Sequence, residues 1–440
     1  MKNKSIYVIK SIAILLFSAA MGIVLLVAAF AIPDSAVQAN LARSAGQFHD
    51  AYIRNENLQK NFPWWHLQED FFEDEIILLQ ADYAGNEQNV TKAVMIFNNS
   101  VSSVGHPGSL WAHYTDGKEY DTKDEYLRYW HGYLILLRPL LAFFDYDHII
   151  FINAIIQIMS TIILCCFFWK KGLKDMIVPY LIGYGILMPV ISWQTIQYSS
   201  CFYIMTIACL LILLSDERKN ATAAPFIFLV TGILLAYFDL LTYPVITLAV
   251  PMAVYLRRNI GKDITAQLKN IVINSFMWGT GYIGMWFGKG LVTKILMPDI
   301  NVFGILIENI KHRTSNSSET GGTFSFGEML YLNVRRFINS PFILVAFAFF
   351  VFCFARMIIR IKNKQLTIKE ILPIVLIFAI VAIMPFAWYF VTINHSSIHC
   401  WYTNKAMVGS VFAILGVISW LSRMEQDDQK KDIIQTEGEQ

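Results

Sequence analysis

Charge is scarce in this 440-residue chain: Asp, Glu, Lys and Arg make up 15% of it, against 55% hydrophobic residues, with a mean hydropathy of +0.47. Soluble globular chains carry about 25% charged residues. The two signs nearly cancel, to a net +2, and no basic stripe with interleaved aromatics exists, which argues against a nucleic-acid partner. The six cysteines include no C-x-x-C pair, so a zinc or redox motif has no support. Cys165, Cys166, Cys209 and Cys353 sit inside apolar runs, where a thiol behaves as a small hydrophobe; only Cys201 and Cys400 fall near the outer side derived below, and no disulfide framework follows. H-E-x-x-H and G-x-S-x-G are missing, and the Gly288 to Lys294 stretch lacks the spacing of a phosphate-binding loop. No internal repeat suggests the inverted halves of a secondary transporter.

What is present is a series of apolar runs near the length a helix needs to cross a bilayer, about twenty residues. The first, residues 11–32, follows Lys2, Lys4 and Lys10. Ala36-Val37-Gln38-Ala39 resembles a cleavage site, but the run exceeds the roughly 7–15 apolar residues of a signal peptide, so it reads as an uncleaved helix. Further runs lie near 148–169, 176–192, 198–214, 223–238, 243–256, 271–287, 341–360, 370–390 and 405–421. The expectation is an all-α, polytopic transmembrane bundle of about ten spans with two extracytoplasmic loop regions.

Charge asymmetry sets the orientation. With the N-terminus inside, the inner connections hold Lys170, Lys171, Lys174, Arg218, Lys219, Arg257, Arg258, Lys262, Arg356, Arg360, Lys362, Lys364 and Lys369. The short outer connections, 193–197, 239–242 and 391–404, hold no Lys or Arg. Both termini are therefore expected inside. The chain divides into a first span (1–32), an outer loop with interfacial helices (33–147), six spans (148–287), a second outer loop (288–340), three spans (341–421) and a charged cytoplasmic tail (422–440). The second outer loop is flexible by composition from Thr314 to Thr323, and 425–440 reads as disordered.

Three polar clusters fall on the outer side, and a charge beside or inside the bilayer is a functional hypothesis. In the first, Glu69, Asp70, Glu73, Asp74 and Glu75 crowd one short stretch. Read as a helix, Phe72, Ile76, Leu79 and Tyr83 form an apolar stripe, with Asp70 and Asp74 stacked roughly opposite. Such acids either point to water from a surface helix, or accept a substrate's proton or hold a divalent cation. The second surrounds His131 and Arg138, between Arg128 and Pro139. Arg138 either snorkels to the headgroups or faces a cavity and pairs with a phosphate; His131 reads as a satisfied interfacial polar residue. The third joins Asp239 to the stretch carrying His395, His399 and Lys405. The two histidines would share a helix face at a spacing compatible with metal binding, but a polar loop with an interfacial aromatic belt explains them without a metal. Lys405 is the lone basic residue at any short outer connection or its boundary. Gly281, Gly284 and Gly288 form a small-residue stripe suited to close helix packing. Trp193, Tyr198, Trp388 and Tyr389 read as interface anchors.

This layout, from one inner-side start through a large acid-bearing outer loop to a run of short-looped spans, resembles the C-type glycosyltransferase superfamily. The stretch from Arg128 to Pro139 occupies the place of a His-Pro-Pro-Leu-like helix entry, without its double proline, and the acid follows the first span by some forty residues, later than usual. The resemblance implies a membrane glycosyltransferase that takes a sugar from a polyprenyl-phosphate donor. It would deliver that sugar to a glycan, lipid or protein acceptor on the outer face of a bacterial plasma membrane. Asp74, with Asp70 beside it, matches the catalytic acid position; Arg138 and Lys405 match the carrier-phosphate position. His131, Asp239, His395 and His399 would line the substrate site. Locally the same stretches are similar to bacterial membrane proteins without an assigned activity. A transporter or lipid flippase would place its charges in mid-membrane, and a non-enzymatic envelope-assembly protein would tolerate substitution of each candidate.

Overall fold

The structure is a computed structural model that describes residues 2–62, 69–215, 222–261, 263–317 and 322–423. Its described residues are almost entirely helical. In chain order they begin with α1 (Lys2–Phe30), α2 (Asp34–Asn61), α3 (Phe71–Asp82), α4 (Asn89–Met95), β1 (Phe97–Ser100), α5 (Ser109–Tyr114), β2 (Thr122–Glu125) and α6 (Leu134–Phe143). The bundle proper follows with α7 (Tyr146–Lys170), α8 (Ile177–Ile186), α9 (Pro189–Gln194), α10 (Ile196–Leu214), α11 (Ala223–Phe238), α12 (Ile246–Arg258) and α13 (Ile264–Leu296). It closes with α14 (Val302–Thr314), α15 (Phe326–Ile338), α16 (Phe342–Lys362), α17 (Ile368–Val391), α18 (Ile393–Ile398), α19 (Cys400–Thr403) and α20 (Val408–Leu421). The two strands pair antiparallel, Phe97 opposite Glu125 and Ser100 opposite Thr122.

Six helical segments among the described residues are long and apolar enough to cross a membrane: Tyr7–Phe30, α7, α10, α16, α17 and Cys400–Leu421. Sequence reading expects about ten, and the difference has local causes. The run at 176–192 is broken where Met188 takes a left-handed φ of 56° and Pro189 opens a new helix, leaving ten residues in α8. The runs at 223–238 and 243–256 give helices of 16 and 13 residues, each mostly enclosed by its neighbours. The 33-residue α13 has the length but carries more polar residues. The expected tail from 424 onward, Arg218, Lys219, Lys262 and part of the 314–323 stretch lie outside the described residues.

Burial in this bundle runs opposite to that of a soluble protein. Phe17 on α1, Phe151 on α7, Leu344 on α16 and Ile383 on α17 each expose 60% or more of their surface. Helices α10, α12 and α20 are enclosed. Such an apolar exterior is costly in water and neutral against lipid tails, where close packing of small residues drives helix association instead. That packing is visible along α13. A methyl group at Gly281 would collide with the Leu229 carbonyl of α11, and one at Gly232 of α11 with the Trp278 carbonyl of α13. Gly284 and Gly288 turn the same stripe toward Leu15 and Ala19 of α1.

The segment between α1 and α7 is tied to the end of α1 by a partly buried ion pair. Arg138 on α6 is fully enclosed; it donates to Asp34 Oδ1 (2.6 Å), to the carbonyls of Ala29 (3.0 Å) and Ile32 (3.2 Å), and to that of Ala81. Lys92 on α4 reaches the other Asp34 oxygen at 3.2 Å. One carboxylate thus joins α2, α4 and α6. Tyr198 and Tyr389, read above as interface anchors, are both fully enclosed, and Tyr389 donates its hydroxyl to the Thr403 carbonyl (2.8 Å).

Candidate acid–arginine site

Helix α3 begins with Asp70, whose side chain accepts the Glu73 amide at 3.3 Å, so an acid opens the helix where its free N–H groups favour one. The helix buries Leu79 and Tyr83 of its apolar stripe, yet not the whole of it. Phe72 lies 49% exposed, whereas Asp74, Glu75, Gln80 and Asp82 are buried. The acids turn inward because specific donors meet them there. Asp74 accepts the backbone amides of Ile196 (2.9 Å) and Gln197 (3.0 Å), satisfying the start of α10 from far away in the chain. Burial pushes the Asp74 carboxyl well above the ordinary range, and these two amides pull it back. Asp70 accepts the indole N–H of Trp401 at 3.1 Å. Burial raises its carboxyl too, against the pull of Trp401 and the Glu73 amide. Glu69, held by Asn55 at 3.1 Å, is raised by burial to about 8.

Glu73 differs from its neighbours in having no donor for Oε2, although that atom is sealed from solvent. Burial first, and the nearby Asp70 second, raise its carboxyl to about 7; Arg128, Arg313 and His106 pull the other way. Neither arginine forms an ion pair with a carboxylate among the described residues. Arg128 lies over the Tyr126 ring (4.3 Å) and beside that of Tyr129 (5.5 Å), donates to the Tyr126 hydroxyl (2.7 Å), and leaves Nε sealed without an acceptor. Stacking of this kind pre-orients a guanidinium fork. Arg313, in the last turn of α14, donates to His399 Nε2 at 3.3 Å.

The histidine segment completes the group. His395 meets the Leu241 carbonyl through Nε2 (2.7 Å), which leaves Nδ1 sealed and unpartnered; His399 Nδ1 is likewise unpartnered. Their rings lie 4.7 Å apart, and Tyr402 stacks on His399 at 5.2 Å. Burial, with Arg313 and Arg128 adding repulsion, lowers His399 to about 3, so it is neutral at physiological pH. Lys405 is buried just beyond, 5.0 Å from the Tyr198 ring, and that ring lies 6.1 Å from Tyr402. No group of three or more His, Cys, Asp or Glu able to hold a metal ion occurs among the described residues.

The sequence-derived candidates therefore separate. Asp70, His395 and His399 join the cluster around Glu73, and Lys405 borders it. Asp74 caps α10. Arg138 has four of its five N–H groups committed to protein acceptors, which leaves no fork for a phosphate. Asp239 is saturated by Ser200 (3.2 Å), Cys201 (3.4 Å), and the amide (2.9 Å) and hydroxyl (2.5 Å) of Thr242. His131 bonds the Tyr133 hydroxyl (2.7 Å) and the Tyr126 carbonyl (2.8 Å), fixing the segment that carries Arg128. Glu73, Arg128 and Arg313 were missed as site residues. The tyrosines flanking Arg128 were the available sign; Arg313 gives none in the sequence.

Buried atoms without partners are uncommon in folded proteins and each calls for a reason. Here Glu73 Oε2, Arg128 Nε, His395 Nδ1, His399 Nδ1 and the Tyr198 hydroxyl fall within linked side chains. Such a set can accept a proton at the carboxylate and bind an anion at the guanidinium groups. Comparison of the chain with protein families, with curated proteins and with solved structures finds no match.

Proposed function

We propose that this is a polytopic plasma-membrane glycosyltransferase of about ten spans, both termini cytoplasmic, using a polyprenyl-phosphate-linked sugar donor on the extracytoplasmic face. The reading rests on one observation: a sealed, donor-free carboxyl oxygen, Glu73 Oε2, within the field of two arginines that have no carboxylate partner among the described residues. Glycosyl transfer with inversion needs a base at the attacking hydroxyl and positive charge at the departing phosphate. A carboxyl near neutrality suits the first role, and guanidinium forks suit the second. In this reading Glu73 takes the place first considered for Asp74, and Arg128 with Arg313 the place considered for Arg138. Asp70, His395, His399 and Lys405 stay as wall residues. The donor's lipid tail would lie in grooves among the exposed apolar helices, and the acceptor is a glycan, lipid or protein of the cell envelope.

The test is binding and transfer with a short-chain polyprenyl-phosphate sugar and purified full-length protein. Saturable binding weakened at least tenfold by Arg128→Ala or Arg313→Ala, with transfer abolished by Glu73→Gln, is the expected result. Absence of binding by folded protein across several sugars would sink the reading.

A further inference from the structure

A file of aromatic rings runs from the Arg128 stack down one face of α13. The Arg128 guanidinium lies 5.5 Å from the Tyr129 ring, which stands edge-on to Trp286 at 5.4 Å. Tyr282 follows, 6.4 Å from Trp286, and stacks on Trp278 at 5.6 Å. Trp278, Tyr282 and Trp286 recur every fourth position and so share a helix face. Trp388 of α17 closes the far end, 6.3 Å from Tyr282. Interface anchors form a belt around a bundle, whereas this file follows one helix to a buried phenol.

The polar ends of the rings set some of them apart. Trp278 donates its N–H to Thr247 (3.0 Å) and Trp130 to the Met285 carbonyl (2.8 Å), as buried indoles usually do. Tyr129 is only 4% exposed, yet its hydroxyl bonds to no described residue and is not sealed, so it opens onto accessible space. The Tyr282 hydroxyl and the Trp286 N–H approach each other without closing a hydrogen bond, and neither is sealed.

Free charge is confined to the Arg128 end. Arg128, Arg313 and Glu73 act on the Tyr129 phenol as part of the cluster above. Asp239, which acts on both tyrosines, is saturated by the bonds already given. Lys289, three residues past Trp286, turns to the Val94 carbonyl (2.7 Å) and the Trp130 ring (5.4 Å).

A hydrocarbon chain on this surface would strip water from two hydroxyls and an indole N–H without replacing it. A sugar ring suits both halves of the surface. Its C–H face meets the negative faces of the aromatic rings, and its hydroxyls bond the phenols and the indole. We propose that Tyr129, Trp286 and Tyr282 seat the sugar ring of the lipid-linked donor, beside a phosphate held by Arg128, and that this sugar is an uncharged pyranose; the proposal rests on the transferase reading. A charged group on the sugar would be desolvated along Trp286 and Tyr282 without a counter-charge.

The experiment measures binding to the full-length protein of a short-chain polyprenyl phosphate without sugar, and of the same lipid carrying glucose, galactose or glucuronic acid. Tyr129→Phe keeps the ring and removes the hydroxyl. It should weaken the tighter neutral glycosyl lipid about three- to tenfold, the loss of one hydrogen bond, and leave the sugar-free lipid unchanged. Trp286→Ala should weaken it at least as much, and Trp286→Phe less. The glucuronosyl lipid should bind the wild type roughly tenfold more weakly than the neutral ones. Equal losses for sugar-bearing and sugar-free lipids would make the file a tail groove or a structural element and overturn the seat. Unchanged binding in Tyr129→Phe and Trp286→Phe, or a sugar that adds nothing to wild-type affinity, overturns it too. Equal binding of neutral and acidic sugars overturns the uncharged class. All of these leave the transferase reading standing, whereas no lipid bound by folded wild-type protein overturns both.

Discussion

Trp401 donates its indole N–H to Asp70 at 3.1 Å, across 331 positions of sequence. This bond joins the first helix-capping acid of α3 to the segment that carries His395 and His399. Trp401→Phe keeps the aromatic surface and leaves a buried carboxylate short of a donor, a loss of about 1–3 kcal/mol. Thermal unfolding of purified protein should register it. An unchanged midpoint would mean the bond contributes nothing in solution.

Asp74 caps the start of α10 through the Ile196 and Gln197 amides. Asp74→Ala should destabilise the protein by about 1–2 kcal/mol, the usual range for a lost helix cap. Asp74→Asn keeps one acceptor and should lose less stability, with transfer largely retained. An Asn variant of full stability and no transfer would return Asp74 to the catalytic role.

Two carboxyls set a pH dependence. Burial holds Glu69 at about 8 and Glu73 at about 7, both above the 4.5 of an unburied glutamate. Between 4.5 and these values the folded state binds more protons than the unfolded one, so stability falls as pH rises through that window. Glu69→Gln and Glu73→Gln should each flatten the fall in Tm between pH 5 and 8. On the transferase reading, transfer should move oppositely, rising with pH through about 7 as Glu73 ionises. A rate that falls across this range in the wild type would contradict the assignment of Glu73 as base.

Gly232 and Gly281 let α11 and α13 meet backbone to backbone. Alanine at either forces the helices apart, with an expected loss of about 1–3 kcal/mol. Gly279, which faces open space on the same helix, is the control: Gly279→Ala should be neutral or stabilising. Equal effects at Gly279 and Gly281 would show that helix propensity, not contact, decides.

The membrane helices were legible because bilayer thickness imposes a length that composition reveals. Their interruptions were less so: the turn at Met188 depends on one φ angle ahead of a proline. The α3 stripe shows the limit of periodicity. Spacing correctly gave a helix, yet the acids face inward, since their partners are amides at Ile196, Gln197, Gly108 and Leu110 that no local pattern encodes. Tyr198 and Tyr389 were misread for a similar reason, because an aromatic near a span's end can face the bundle as readily as the headgroups. Arg138 stood out in sequence as a charge in an apolar run, and the structure answers it with Asp34 and three carbonyls.

The cluster around Glu73 draws on α3, the Tyr126–His131 stretch, Arg313 at the end of α14, and the segment from His395 to Trp401. During synthesis the carboxylate is made long before its histidine wall. A ribosome that has produced everything through Arg313 has not yet supplied His399 or Trp401. The cluster therefore cannot assemble on a nascent fragment that stops short of Trp401. Assembly of the cluster is coupled to synthesis through Trp401.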